Sequence, residues 1–316
     1  MSDRNLYSLL DERFLAAGHN PAFRAPDGHI LLTYRQLRDE TARYANALVA
    51  LGLASGDRVS VQIEKSLANV ILYLAVMKAG GVFQPLNTAY TESEVGYFVG
   101  DAEPSIIVCD PSRQEAMRAL ADRHRVTAVV NLDAKGEGSL SQLARDMTDR
   151  HETVPRSGND LAGLLYTSGT TGRSKGAMLT HDNLSSNALT LHKLWGFVQG
   201  DVLIHALPIF HVHGLYVALN TAFLNGSEMV WFEKFDAEAT IKAFGSASVM
   251  MGVPTFYTRL LASPSLTPDA CRAMRLFISG SAPLLAETHA DFESRTGRRI
   301  LERYGMTETG MIASNP

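Results

Sequence analysis

The stretch Tyr166-Thr-Ser-Gly-Thr-Thr-Gly-Arg-Ser-Lys-Gly176 concentrates small donors and cations in one loop. Gly169, Gly172 and Gly176 let the backbone take positive φ and approach a ligand closely. Thr167, Ser168, Thr170 and Thr171 add hydroxyl donors, and Arg173 and Lys175 add positive charge. Such a set suits a polyphosphate, which needs short donors and a cation. It is not a Walker A loop. G-x-x-x-x-G-K-[ST] counted from Gly169 requires glycine where Ser174 stands, and Ser or Thr where Gly176 stands. The competing reading is a polar surface turn, for which this density of glycine and hydroxyl is unusual.

His211 and His213 form H-x-H within Leu207-Pro-Ile-Phe-His-Val-His-Gly214. Two histidines do not make a zinc site, and Cys109 and Cys271 lack a C-x-x-C partner, so no metal is expected there. His213 reads equally well as a structural histidine. Gly280-Ser281-Ala282-Pro283 is small enough for backbone to approach a flat ligand. Tyr304 offers either a stacking face or a core aromatic.

These groups need elements to hold them. Thr33-Tyr34-Arg35-Gln36 and Thr91-Glu92-Ser93-Glu94 fit capping boxes, the first opening a helix that ends near Gly52. Residues 66–78 read as a buried helix, and 58–63, 82–85, 106–109 and 127–131 as strands. The polar, mixed region 134–160 is the candidate surface excursion or boundary between two lobes, 1–160 and 161–316. After it, strands are expected over 161–166, 202–207, 228–232, 249–252, 276–279 and 300–304. Helices are expected over 183–195, 237–244 and 284–296. The alternation predicts an α/β fold with largely parallel sheets covered by helices. In such folds ligands sit at the carboxyl ends of strands, where each motif above falls.

The chain has 316 residues, 46% hydrophobic and 20% charged, with a net charge of −4. Length suggests about two domains or lobes, and composition argues against disorder, collagen and coiled coil. The acidic balance argues against a broad nucleic-acid footprint. Two cysteines make no disulfide scaffold, so a reducing cytoplasm is expected. Asp3, Arg4, Asp11, Glu12 and Arg13 interrupt any apolar leader. The apolar run 70–77 stops at Lys78, too short for a bilayer. A soluble protein without membrane or nucleic-acid partners is the expectation.

The loop YTSGTTGRSKG resembles the signature of the adenylate-forming enzymes: acyl-CoA synthetases, firefly-type luciferases and peptide-synthetase adenylation domains. The resemblance extends over essentially the whole chain. It runs through the H-x-H segment, Met251-Gly-Val-Pro-Thr255, Ser279-Gly-Ser-Ala-Pro283 and Arg303-Tyr-Gly-Met-Thr-Glu-Thr309, in matching order and spacing. It implies the large N-terminal domain of that superfamily, with stacked, mostly parallel sheets covered by helices. It also implies chemistry: ATP and a carboxylate give an acyl-adenylate and pyrophosphate, and a thiol, usually coenzyme A, then displaces AMP. By this resemblance Thr167, Ser168, Gly169, Thr170, Thr171, Gly172 and Lys175 hold the β- and γ-phosphates. Gly280, Ser281, Ala282, Pro283, Tyr304, Gly305, Met306 and Thr307 surround the nucleotide, Thr307 donating to the α-phosphate. Glu308, with Thr167, helps ligate Mg²⁺, a hard cation that takes oxygen ligands. A solvated loop carboxylate is the other reading of Glu308. His211 lies beside the acyl group.

The combination ERYGMTE, SGSAPL and MGVPTFYTRLL resembles malonyl-CoA synthetases, which implies malonate, with methylmalonate as a second acid. Arg303 and Arg259 then clamp the distal carboxylate, with His211 and Ser279 nearby. A fatty acyl pocket is apolar, and a guanidinium buried in one is costly unless paired. A second substrate carboxylate matches it in bidentate geometry. Otherwise Arg303 is a structural salt bridge and Arg259 an exposed helix residue. The alternatives are a medium-chain or aryl acyl-CoA synthetase, a peptide-synthetase adenylation domain, or a non-catalytic nucleotide-binding fragment. Family members continue past Pro316 with a ribose-binding aspartate, a hinge and a small C-terminal domain carrying the adenylation lysine. The expectation is therefore a truncated adenylation domain with impaired catalysis, the C-terminal domain being absent.

Overall fold

The computed structural model describes residues 3–167 and 173–315. In chain order the strands are β1 (Pro21–Arg24), β2 (Ile30–Thr33), β3 (Arg58–Gln62), β4 (Val82–Pro85), β5 (Ile106–Cys109), β6 (Ala128–Asn131), β7 (Leu161–Thr167), β8 (Lys175–Thr180), β9 (Val202–His205), β10 (Glu228–Trp231), β11 (Val249–Gly252), β12 (Leu276–Ser279), β13 (Ile300–Met306) and β14 (Gly310–Ser314). They form two sheets, one in each of two compact units. The expected α/β class with mostly parallel sheets is what the chain adopts.

The first unit comprises residues 1–12 and 36–185. Its sheet has the order β6-β5-β3-β4-β7-β8, parallel except for the β7/β8 pair. The β-branched run of β5 is buried at every position, as a parallel strand covered on both faces requires. The helix Leu67–Lys78 is buried from Ala68 to Lys78, and Ser66 caps it by accepting from the Asn69 amide at 3.2 Å. Its apolar composition on every side fits that burial. Lys78 ends it with Nζ 4.4 Å above the Tyr7 ring.

The second capping box forms as read. Thr91 Oγ1 accepts from the Glu94 amide at 3.3 Å, and Glu94 accepts from the Thr91 amide at 2.8 Å. Thr91→Ala is expected to cost about 1 kcal/mol. A lowered urea midpoint at constant slope would register it; an unchanged midpoint would show the box contributes nothing. The first box also falls at a helix start. Thr33 ends β2 opposite Pro21, and the helix Tyr34–Ala50 starts at the next residue.

The units part after Ser185, not at 160/161. β7 and β8 complete the first sheet through the register Leu161↔Thr180 to Thr167↔Lys175, which binds this segment to what precedes it. The polar region 134–160 is an excursion of the first unit. It contains the helix Ser139–Arg145, which buries Leu140 and Ala144, and its Val154 amide donates to the Lys78 carbonyl at 2.9 Å.

The second unit comprises residues 13–35 and 186–316. Its sheet has the order β14-β13-β12-β11-β9-β10-β1-β2, with only β2 and β14 antiparallel to their neighbours. One core face stacks Tyr257, Phe277 and Phe292 edge to face, with centroids 4.9 and 5.5 Å apart. Cys109 and Cys271 are free and buried, and burial raises both thiol pKa values, to about 12 and about 11. Among the described residues no helix is long and apolar enough to cross a membrane.

Candidate active site

Three parallel strands of the second unit, β9, β11 and β12, end nearly level with one another, beside β13. Met251 pairs with His205, Gly252 with Ser279, and Ser279 with Glu302. The motifs leave from these ends: 206–214 after β9, 253–255 after β11 and 280–283 after β12. β13 runs on to Met306, and Thr307-Glu308-Thr309 turn the chain into β14. This hairpin was not expected from sequence. Asn187 fixes it by donating to the Met311 carbonyl at 3.0 Å and accepting from its amide at 3.2 Å.

Two hollows open here. One, of about 380 Å³, is lined in part by His211, His213, Arg303, Met306 and Thr307. The other, of about 430 Å³, is lined by Ala282, Pro283, Glu302 and Tyr304 among others. Ser281, Arg303 and Gly305 belong to both, so they form the wall between them.

Arg303 is 4% exposed, and among the described residues its Nε and Nη2 have no hydrogen-bond partner. Burial lowers its pKa to about 10, opposed by Tyr257. Such a desolvated cation calls for an anion. A Cβ on Gly280 would collide with the guanidinium, so glycine is needed there for Arg303 to lie flat under the backbone. The Tyr257 hydroxyl, beneath, donates to the Ile278 carbonyl at 2.7 Å.

His213 is buried, and burial together with the nearby Arg303 holds its pKa well below the ordinary imidazole value. It is therefore neutral, with Nδ1 3.3 Å from the Ser281 hydroxyl. Ser281 sits at φ 72, the left-handed region that a non-glycine residue rarely adopts. Strain of this kind clusters at functional sites. His213 also begins a π-helical segment, His213–Leu219, itself an uncommon geometry associated with such sites. A Cβ on Gly214 would strike the Pro208 carbonyl, so the segment can only pass there as glycine. Its carbonyl is 2.9 Å from His205 Nε2.

The other expected residues fall as follows. His211 is exposed at the hollow, its ring 4.4 Å from that of Phe210, and desolvation by the protein around it lowers its pKa. Tyr304 is 59% exposed on the second hollow and is not a core aromatic. Ser279 is buried at the end of β12 with its hydroxyl unpartnered, and it lines neither hollow. Glu308 is exposed in the hairpin turn. Arg259 departs from the expected clamp. It is exposed on the helix Pro254–Leu261 with its guanidinium 4.8 Å above the Phe235 ring, and it lines neither hollow. Phe235 in turn stacks on Phe256 at 3.9 Å, so an aromatic pile holds Arg259.

Thr167 and Lys175 belong to the first unit and face each other as the last ladder pair of β7 and β8. Ser168, Gly169, Thr170, Thr171 and Gly172 lie outside the described residues. Sequence reading missed Glu302. Its carboxylate accepts from the Leu284 amide at 3.0 Å and so anchors the far end of the 280–283 segment. Its place beside Arg303 in the motif was the available signal.

An AMP-binding enzyme model matches residues 11–316. The chain is 34% identical to malonate–CoA ligase ACSF3, mitochondrial, of Mus musculus, over 96% of this chain and 55% of that protein. It is 32% identical to a malonate–CoA ligase of Arabidopsis thaliana, over 88% and 48%. Among solved structures, ATP-bound MatB from Rhodopseudomonas palustris shares 51% identity at a TM-score of 0.96, covering 99% of this chain and 62% of that one. The chain thus spans about half the length of the curated relatives it matches. With motifs in order, strand ends in register and a model that matches nearly end to end, this chain belongs to the AMP-binding enzyme family.

Proposed function

We propose that this chain carries the acid-activating part of an ATP-dependent acid–thiol ligase. Its acid is malonate, with methylmalonate as the close analogue. The products are an acyl-adenylate and pyrophosphate, then, with coenzyme A, malonyl-CoA and AMP. The observation that carries this reading is Arg303, a buried guanidinium in the wall between two hollows with two unpartnered nitrogens. A fatty or aryl acid leaves that charge uncompensated, whereas a dicarboxylate pairs with it. The malonate–CoA ligases among the relatives support the same acid.

In this reading Arg303 takes the distal carboxylate and leaves the other carboxylate toward Thr307. Two anions must then meet, so catalysis is positioning and charge neutralisation. Neutral His213 adds a polar wall without a second positive charge. Tyr304 and residues 280–283 take the adenine, and Thr307 donates to the α-phosphate. Thr167, Lys175 and the residues between them hold the β- and γ-phosphates. Arg259 is left out of the clamp, since Phe235 already holds it.

Among the described residues no group of three or more His, Cys, Asp or Glu gathers to cage a metal. Glu308 therefore fits Mg²⁺ as a single carboxylate ligand to an ion that phosphate oxygens also hold, a common arrangement for this cation. Bound there, Mg²⁺ supplies charge neutralisation at the phosphates.

The test is pyrophosphate release from MgATP with malonate, octanoate or acetate. Malonate is expected to exceed the other acids by at least ~10-fold, since a site built for a charged group rejects ligands lacking it. Equal release with all three overturns the malonate assignment. Release with none leaves the family assignment standing and makes this chain by itself inactive.

A further inference from the structure

The helix Glu92–Ala102 of the first unit touches both stems of the polar loop. Near its middle, Tyr97 donates its phenol hydrogen bond to the Ser174 carbonyl at 2.8 Å. The same ring lies 5.3 Å from the Arg173 guanidinium, which stacks over it. One turn further, Asp101 accepts from the Tyr166 hydroxyl at 2.5 Å. Tyr166 packs on Phe98 at 4.4 Å and meets Tyr97 edge-on at 6.2 Å. Tyr166 enters the loop and Ser174 leaves it, immediately before Lys175. The capping box at Thr91 fixes the start of this helix.

The chemistry of an anion cradle gives these bonds a purpose. A carbonyl aimed into the cradle repels phosphate, and an amide aimed there attracts it. The phenol ties the Ser174 carbonyl to the helix, which sets the direction in which the backbone enters Lys175. The ring also holds Arg173, a cation on an exposed side chain, through a cation–π contact. We propose that Tyr97 is a positioning residue for the polyphosphate: it orients the backbone ahead of Lys175 and parks Arg173 as a second cation beside it. The inference rests on the reading of residues 167–175 as the phosphate loop.

Calorimetric titration of the purified chain with MgATP and with AMP tests it. AMP lacks the β- and γ-phosphates, so it reports on the rest of the nucleotide site. Tyr97→Phe removes the hydrogen bond and keeps the ring. It is expected to weaken MgATP roughly fivefold, the worth of one hydrogen bond, and to leave AMP unchanged. Tyr97→Leu, which also releases Arg173, is expected to weaken MgATP further, again without effect on AMP. Unchanged MgATP affinity in Tyr97→Phe, or parallel loss of both nucleotides, overturns the assignment of Tyr97. Lys175→Ala is the control for the underlying reading. If it binds MgATP as wild type does, or if wild type does not bind MgATP, the phosphate-loop reading fails and this inference falls with it. If Lys175→Ala weakens MgATP while Tyr97→Phe does not, only the role of Tyr97 falls.

Discussion

Arg303→Leu is expected to lose malonate-dependent pyrophosphate release by roughly 10²-fold or more in kcat/KM, while the protein becomes no less stable. The two effects have the same cause. Arg303 is buried with Nε and Nη2 unpartnered, and its pKa is lowered to about 10 because burial penalises the charged form. Each charge-assisted hydrogen bond to a substrate carboxylate is worth ~1.5–3 kcal/mol, so losing two removes at least about 3 kcal/mol of binding. Among the described residues no carboxylate offsets the charge, and leucine removes the desolvation penalty. Activity and stability should therefore move in opposite directions, a pattern a structural salt bridge cannot give. Unchanged malonate kinetics in a folded Arg303→Leu chain would falsify the clamp. So would a marked fall in melting temperature, which would reveal a partner for the guanidinium.

Acid is expected to destabilise the first unit by about 3 kcal/mol through one imidazole, His181. Its Nδ1 accepts from the Leu6 amide at 3.0 Å, and its Nε2 has no partner. Burial, reinforced by nearby Arg156, lowers its pKa from 6.5 to about 4. The folded protein thus resists a proton that the unfolded chain accepts near pH 6.5. The stabilisation is complete above that pH and is lost as pH falls from about 6.5 to about 4. Protonation also removes the lone pair that holds the Leu6 amide. Urea unfolding across this window should show the loss in wild type and a flatter profile in His181→Asn. Identical profiles for the two proteins would exclude His181 as the source.

Much of this architecture is legible in the residues, for reasons that also explain what is not. β5, β9, β11 and β12 announce themselves because parallel strands buried on both faces read as short, largely apolar runs between turns. β1 and β2 do not. PAFR and ILLT are short, lack clean alternation, and owe their existence to β10, far along the chain. The expected boundary at 160/161 misled because a polar segment looks like a linker; the ladder between β7 and β8 decides where the unit ends.

The site divides in the same way. Motif spacing places His211, Arg303 and Thr307 on one hollow: His211 and Thr307 follow strand ends, and Arg303 lies in β13 just past its register with the end of β12. Arg259 was read from the resemblance carried by MGVPTFYTRLL. Its actual environment depends on Phe235, more than a helix away in sequence. The left-handed Ser281 and its reach to His213 carry no sequence signal at all, because serine gives no hint of positive φ.

The placement of β1 has a consequence for synthesis. It pairs Phe23 with Met229, a loop of about two hundred residues whose closure must precede any reward from the contact. Phe14, Phe23 and Tyr34 are buried in the finished unit, the first two against Phe223. At ~5–20 residues per second, these aromatics emerge from the ribosome roughly 10–40 s before Phe223 and β10 exist to cover them. Until β10 is made, the nascent chain therefore carries these aromatics uncovered, with the β1 edge unpaired. That makes β1 and β2 the natural place for a chaperone to grip and for aggregation to begin.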